Sequence, residues 1–441
     1  MPTAVEKLRS LLDDRGLFEH HRDDLMPLWI EGLNERLEQG VATIPVLRKL
    51  VDETGVRKIT KLDDVLPLLF AHTNYKSYPP AFITRGRWDA MNKWLDTVST
   101  QRVDFDVTGV TDQDSWLARL HENGHMVLAT SGTSGKNSFL PNTRDDAAFS
   151  MRGIVPSLQW VFGIEPKQDR PVFFLSPKYG PTRVSTLYRT LAEAYGRPGA
   201  RYFLTDEPLR LSDMSRLAEL RKAMADGTAK PSEIAAHEAA VAERAREMAE
   251  RLDALIDTIL ASLDEPIILA GFWSQFWSIV EAARRRGMTS APFHPDSVLV
   301  GGGGTKGANL PDDYQEQILS FFGVTQERFL GGYGMSELSV AMPRIGDRYR
   351  MAPWVVPLVL DREATTLQPL DGLVTGRFAF FDLALDGRWG GIITGDQVQA
   401  DFSGPTSSIV DGSVRRYSDL GDGDDKLTCA GTIDAFVRGM V

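Results

Sequence analysis

Three short apolar runs, Pro171-Val-Phe-Phe-Leu175, Ile267 to Ala270 and Val298 to Val300, recur between stretches of helical periodicity. An apolar run too short for a helix and bounded by turn residues reads as a buried strand. Such strands alternating with helices define a mainly parallel sheet flanked by helices, so an α/β class is expected for Met126 to Val340. The preceding stretch reads as helical. Apolar residues recur at helical spacing in Val5-Leu8-Leu11-Leu12 and Val46-Leu47-Leu50, the pattern continues from Lys58 to Leu69, and Tyr78-Pro-Pro80 breaks it. Ser232 to Leu263 reads as one long amphipathic helix with a solvated Glu/Arg-rich face. Residues 346 to 430 are richer in short β runs and glycines, as in a small β-lobe. The expected organisation is a helical region (1–105), an α/β core (106–345), a β-rich lobe (346–430) and a hinge-like end (431–441).

The loop Thr130-Ser-Gly-Thr-Ser-Gly-Lys136 follows the apolar run Met126-Val-Leu-Ala129. Two glycines (Gly132 and Gly135) and four hydroxyl residues (Thr130, Ser131, Thr133 and Ser134) can turn backbone N–H groups and hydroxyls onto one anion. Lys136 adds a positive charge suited to a polyphosphate tail. It is not the usual phosphate loop, because Thr130 stands where the first glycine belongs and Asn137 follows the lysine. By itself the segment also fits a polar surface turn.

Further turns follow at intervals. They are Pro266-Ile-Ile-Leu-Ala-Gly271, Ser297-Val-Leu-Val-Gly-Gly-Gly-Gly304, Gly331-Gly-Tyr-Gly-Met-Ser-Glu337, Arg416-Tyr-Ser-Asp-Leu-Gly421 and Leu427-Thr-Cys-Ala-Gly-Thr-Ile-Asp434. In this order they resemble the adenylate-forming superfamily of acyl- and aryl-CoA ligases, luciferases and peptide-synthetase adenylation domains, over about residues 105 to 441. The resemblance implies the large N-terminal domain of that fold. It also implies ATP-dependent activation of a carboxylic acid to an acyl-adenylate, followed by transfer to CoA, a carrier or protein thiol, or an amine. A nucleotide-binding module without turnover, or a ligase subunit that needs a partner, is the alternative. No side-chain nucleophile is required, so positioning and charge stabilisation must carry catalysis.

Carried onto this chain, the resemblance places Lys136 and its loop on the β- and γ-phosphates and Ser336 at the α-phosphate. It places Tyr333 against adenine with Gly332 beside it, and Gly302, Gly303 and Gly304 close to the purine. Glu337 would hold Mg²⁺, and Asp419 would accept the ribose hydroxyls. Asp396 competes for that last role, since Ile392-Ile-Thr-Gly-Asp396 matches the family's Thr-Gly-Asp literally; the Leu-Gly after Asp419 favours Asp419. The acid pocket is implied near Phe272, Trp273, Trp277 and Gly331. Aromatic or fatty acids would suit it, although spacing by four fits inward helix packing equally well.

Two departures stand out. Thr432 replaces the hinge arginine, a contact Arg438 could supply, and the small mobile domain expected after the hinge is missing from the chain. That absence reads either as truncation or as a resemblance to short ligases such as phenylacetate-CoA ligase and fatty-acid–protein ligase. Two other motifs are decoys. His121-Glu-Asn-Gly-His125 fits a zinc-protease pattern, but Gly124 ends the helix that pattern needs. Gly302-x-Gly304-x-x-Gly307 fits a dinucleotide fingerprint, but its helix starts late, near Pro311.

Composition sets the outer limits. With 441 residues, 42% of them hydrophobic, the chain can bury a large core. A net charge of −11 argues against nucleic acid or anionic membranes as partners. The single cysteine, Cys429, excludes an internal disulfide framework and fits a reducing cytoplasm; packing suits it better than acyl transfer. No run is long enough to span a bilayer, and the N-terminus lacks a signal-type apolar region, so a cytoplasmic location is expected.

Overall fold

The computed structural model describes all residues except 131–135, 304–308, 421–441 and scattered positions between 214 and 229. The chain forms two compact units: Ser157–Gly332, and Met1–Pro156 with Tyr333–Val441.

In the Ser157–Gly332 unit the expected runs become strands Arg170–Pro177, Ile268–Phe272 and Val298–Gly302. With Gly196–Thr205 and Phe329–Leu330 they form a five-stranded sheet in which every pairing is parallel. Alternate side chains leave opposite faces, and both faces are covered. Phe173 joins a cluster with Phe276, Ile279 and Val280 of helix Trp273–Arg285 and with Ile256 and Ile259 of helix Pro231–Leu260. Phe174 instead meets Tyr188 of helix Arg183–Tyr195 at 5.0 Å. Burial on both sides is why these strands read as unbroken apolar runs. Each large side chain removed from water there contributes about 1.5–3 kcal/mol.

The other unit holds a nine-stranded sheet. Its main path runs Val355–Leu360, Leu373–Asp382, Gly391–Asp401, Ser408–Val410, Arg348–Arg350, Met342–Ile345 and Gly332–Tyr333. The expected short β runs are longer than their composition suggests, reaching 10 and 11 residues in the second and third strands. Those two pair antiparallel across a register shift between Arg377 and Ala379. The N-terminal helices pack on this β segment: Trp29 of helix Arg22–Thr43 donates from Nε1 to Pro353 O (2.7 Å), and buried Arg36 donates to Leu383 O. One parallel pairing, Phe70–Ala71 with Ile392–Ile393, threads the helical region into the sheet. Among the described residues no helix is long and apolar enough to cross a membrane.

Candidate active site

The Lys136 loop is the connection of a β-hairpin. Strand Leu128–Ala129 pairs antiparallel with Phe139–Leu140. Two bonds close its base, Thr130 N–H to Ser138 O (3.1 Å) and Ser138 N–H to Thr130 Oγ1 (2.9 Å). Ser131, Gly132, Thr133, Ser134 and Gly135 lie outside the described residues. The Lys136 ammonium sits 4.4 Å from the centre of the Tyr78 ring, a cation–π arrangement. Tyr78 is fully buried against Trp94 and Phe139 and donates from its hydroxyl to Asn137 O at 2.9 Å. Burial pushes that phenol up, so it stays a neutral donor. The base of the loop is therefore fixed by an aromatic core.

Ser336 and Glu337 are held by their backbones. Arg388, 3% exposed, donates from Nη2 to Glu337 O (2.9 Å) and Ser336 O (3.4 Å). Its Nη1 donates to Pro141 O (2.9 Å) and Asn142 Oδ1, just beyond the hairpin. One guanidinium thus ties the Lys136 hairpin to the Glu337 turn. Gly387 permits this approach, since a Cβ there would lie 2.6 Å from Asn142 Cα.

Tyr333 donates from its hydroxyl to Asp396 Oδ2 at 2.8 Å in a buried contact. Burial first, and the Asp396 carboxylate second, hold the phenol well above its usual range. Its ring packs against Phe378 (5.8 Å) and Tyr349 (6.0 Å). Asp396 lies in strand Gly391–Asp401, opposite Arg416 in the antiparallel register, with Arg416 Nε 3.9 Å from Oδ1. Asp419 ends the turn Tyr417–Asp419, is exposed, and accepts from Ser418 Oγ at 3.0 Å. The carboxylate that meets Tyr333 is therefore Asp396, the residue the sequence context ranked second.

A segment that sequence reading did not single out borders this site. After strand Phe70–Ala71, the His72 N–H donates to Ile393 O (2.9 Å) and the Tyr75 hydroxyl to Trp389 O (2.9 Å). Half-buried Lys76 lies within the electrostatic reach of Glu337 and Arg416; burial lowers its pKa and Glu337 opposes that shift. Lys136 touches Tyr78 of the same segment. The available signal was Leu68-Leu-Phe-Ala71 followed by polar residues, the same grammar of apolar run and polar turn that marks Thr130–Lys136.

In the Ser157–Gly332 unit, Gly302 (φ +147°) and Gly303 (φ +72°) follow strand Val298–Gly302, and Gly331 and Gly332 follow Phe329–Leu330. These are the carboxyl ends of parallel strands, the usual ligand edge of an open α/β sheet. Gly304 lies outside the described residues. Phe272 is half-buried beside Gly303, where a Cβ would meet its ring at 3.1 Å. Trp273 and Trp277 point inward. Trp273 stacks on Phe329 at 4.4 Å, and both belong to the core cluster.

The decoys behave as their local sequence suggests. Helix Gln113–Glu122 stops before Gly124 (φ +90°), so His121 and His125 do not share a helix. No group of three or more His, Cys, Asp or Glu could hold a metal among the described residues. Among the described residues the next helix after Gly302 begins at Tyr314. Cys429, Thr432 and Arg438 lie outside the described residues.

No protein-family model and no curated protein matches the chain. Solved structures do. 2-Hydroxyisobutyryl-CoA ligase, in an open conformation in complex with 2-HIB-AMP and CoA, aligns at a TM-score of 0.51 and 13% identity, covering 92% of this chain and 78% of that one. The same ligase in the postadenylation state in complex with R3-HIB-AMP aligns at 0.52 and 13%, covering 92% and 71%. The chain has the fold of the adenylate-forming ligases, with a parallel sheet flanked by helices and a largely antiparallel sheet.

Proposed function

We propose that the chain activates a carboxylic acid with ATP, forming an acyl-adenylate and releasing pyrophosphate, and then transfers the acyl group to a thiol or amine. One observation carries this reading: in a fold of this kind, the Tyr333–Asp396 pair, Glu337 and Lys136 all occupy one compact unit, with Lys136 seated on Tyr78 and Glu337 within electrostatic reach of Lys76. A carboxylate oxygen bonds to the α-phosphorus as the bond to pyrophosphate breaks, so the site must place two anions together and take up the charge that leaves. Lys136, seated on Tyr78, is the cation for the outer phosphates. Asp396 uses Oδ2 for the Tyr333 hydroxyl, and Oδ1 is the acceptor for a ribose hydroxyl. Glu337 is the carboxylate for Mg²⁺, and a lone carboxylate fits an ion that takes its other ligands from phosphate and water. When bound, the ion offsets charge on the phosphates.

The acceptor is a thiol of CoA, of a carrier or of a protein, or an amine; the aligned ligase holds CoA.

ATP–pyrophosphate exchange with a panel of aryl, fatty and short 2-hydroxy acids tests the reading. Exchange with at least one acid is expected. Binding of ATP without exchange for any acid would reduce the chain to a nucleotide-binding module. Within the same assay, Asp396→Asn is expected to raise the KM for ATP by ~10–100-fold, the worth of one charge-assisted hydrogen bond. Asp419→Asn should stay within about twofold. The reverse ranking would return the ribose role to Asp419.

A further inference from the structure

Two consecutive side chains in the turn after strand Phe70–Ala71 hold buried polar atoms with no hydrogen-bond partner among the described residues, Thr73 Oγ1 and Asn74 Nδ2. Arg388 Nε, on the guanidinium that grips the Glu337 carbonyl, is a third. Asn74 is 1% exposed and Arg388 3%. Buried donors left unpaired are costly and uncommon, and each calls for an explanation. Holding the turn together does not explain these. Its shape is set by Lys76 N–H to Thr73 O (3.1 Å), Ser77 N–H and Oγ to Asn74 O (3.2 and 2.8 Å), and the Tyr75 hydroxyl to Trp389 O. Tyr75 lies within the electrostatic reach of both Arg388 and Glu337, and its hydroxyl bonds the carbonyl of Trp389, the neighbour of Arg388 in the chain. Lys76, next in the chain, lies within the electrostatic reach of Glu337 and Arg416.

Every one of these groups can donate: an amide N–H, a hydroxyl, a guanidinium N–H and an ammonium. A set made only of donors, two of them cationic, selects an oxyanion. We infer that the Thr73–Lys76 turn, backed by Arg388, is an oxyanion grip that holds the oxygens of the reacting carboxylate or of the α-phosphate it attacks. The inference rests on the adenylation reading above. In that reaction a carboxylate oxygen forms the new bond to phosphorus, the bond to pyrophosphate breaks and no proton moves. Fixed cationic and neutral donors therefore suit it better than a proton-transfer group. The grip offsets the repulsion between two anions brought into contact.

Three variants of the full chain test this: Asn74→Ala, Lys76→Met and Lys76→Arg. The readouts are ATP–pyrophosphate exchange, with the acid wild type uses best, and melting without ligand. Asn74→Ala deletes a donor the free protein does not pair, so its melting temperature should match or exceed wild type. Its exchange should nevertheless fall ~10–100-fold. Lys76→Met should lose at least as much, and Lys76→Arg should recover most of it. A rise confined to the KM for the acid identifies the carboxylate as the gripped anion, and a rise confined to the KM for ATP identifies the phosphate. The grip is wrong if Asn74→Ala and Lys76→Met both exchange within about twofold of wild type, or if Asn74→Ala loses exchange only in proportion to a lost fold. Wild type that exchanges with no acid would instead remove the adenylation reading, and this inference with it.

Discussion

Glu337→Gln is expected to lower ATP–pyrophosphate exchange by ~10²–10³-fold while leaving the melting temperature close to wild type. At about 1.4 kcal/mol per factor of ten, that is a loss of ~3–4 kcal/mol of transition-state stabilisation. Glutamine keeps the shape and the backbone contact to Arg388 but removes the charge. A hard divalent ion then loses its one proposed protein ligand. A structural role for Glu337 predicts a different pattern. Glu337 is 9% exposed and acts electrostatically on the Lys76 ammonium, so a residue serving only to balance that charge would show lost stability and little lost turnover. Magnesium dependence separates the two. The variant should need far more magnesium for half-maximal exchange, and excess metal should restore part of the rate. An unchanged magnesium curve would remove Glu337 from the metal site.

The sequence disclosed those parts of the molecule whose signal is local. Arg170–Pro177, Ile268–Phe272 and Val298–Gly302 were legible as strands because both faces are buried and no polar alternation interrupts them. The hairpin carrying Lys136 and the turn carrying Tyr333 and Glu337 were legible because glycine and hydroxyl residues cluster after apolar runs. What long-range pairing decides was not legible. Asp396 carries the literal Thr-Gly-Asp match, but its contact with Tyr333 depends on the register of Gly391–Asp401 within its sheet, and the Leu-Gly after Asp419 pointed to the exposed turn instead. Asn74 and Lys76 stayed hidden because they follow a two-residue strand in a helical region, and the strand it pairs with, Ile392–Ile393, lies far along the chain. The Phe272–Trp277 segment shows the same limit from the other side. Spacing by four serves a pocket wall and a core helix alike, and the stacking of Trp273 on Phe329 commits that ring to the core.

Arg388→Ala is expected to be the most destabilising single change near the site, by about 3–5 kcal/mol against the ~5–15 kcal/mol that holds a typical fold together. The guanidinium is almost fully buried and serves four oxygens, those of Pro141, Asn142, Ser336 and Glu337. Alanine leaves these acceptors facing a void, and an unpaired buried acceptor forfeits about 1–3 kcal/mol. For a unit of this size each kcal/mol shifts melting by ~2–4 °C, so a drop of roughly 10 °C should appear in thermal scans. Arg388→Lys keeps the charge but replaces the planar fork with a point donor that cannot span two segments, and should recover less than half of the loss. The effect on exchange should exceed the loss of folded protein at the assay temperature, because the same side chain anchors both the hairpin of Lys136 and the turn of Glu337. If Arg388→Ala melts like wild type, the tether is dispensable. If it melts early but exchanges in strict proportion to its folded fraction, Arg388 supports the fold without setting the geometry of the site.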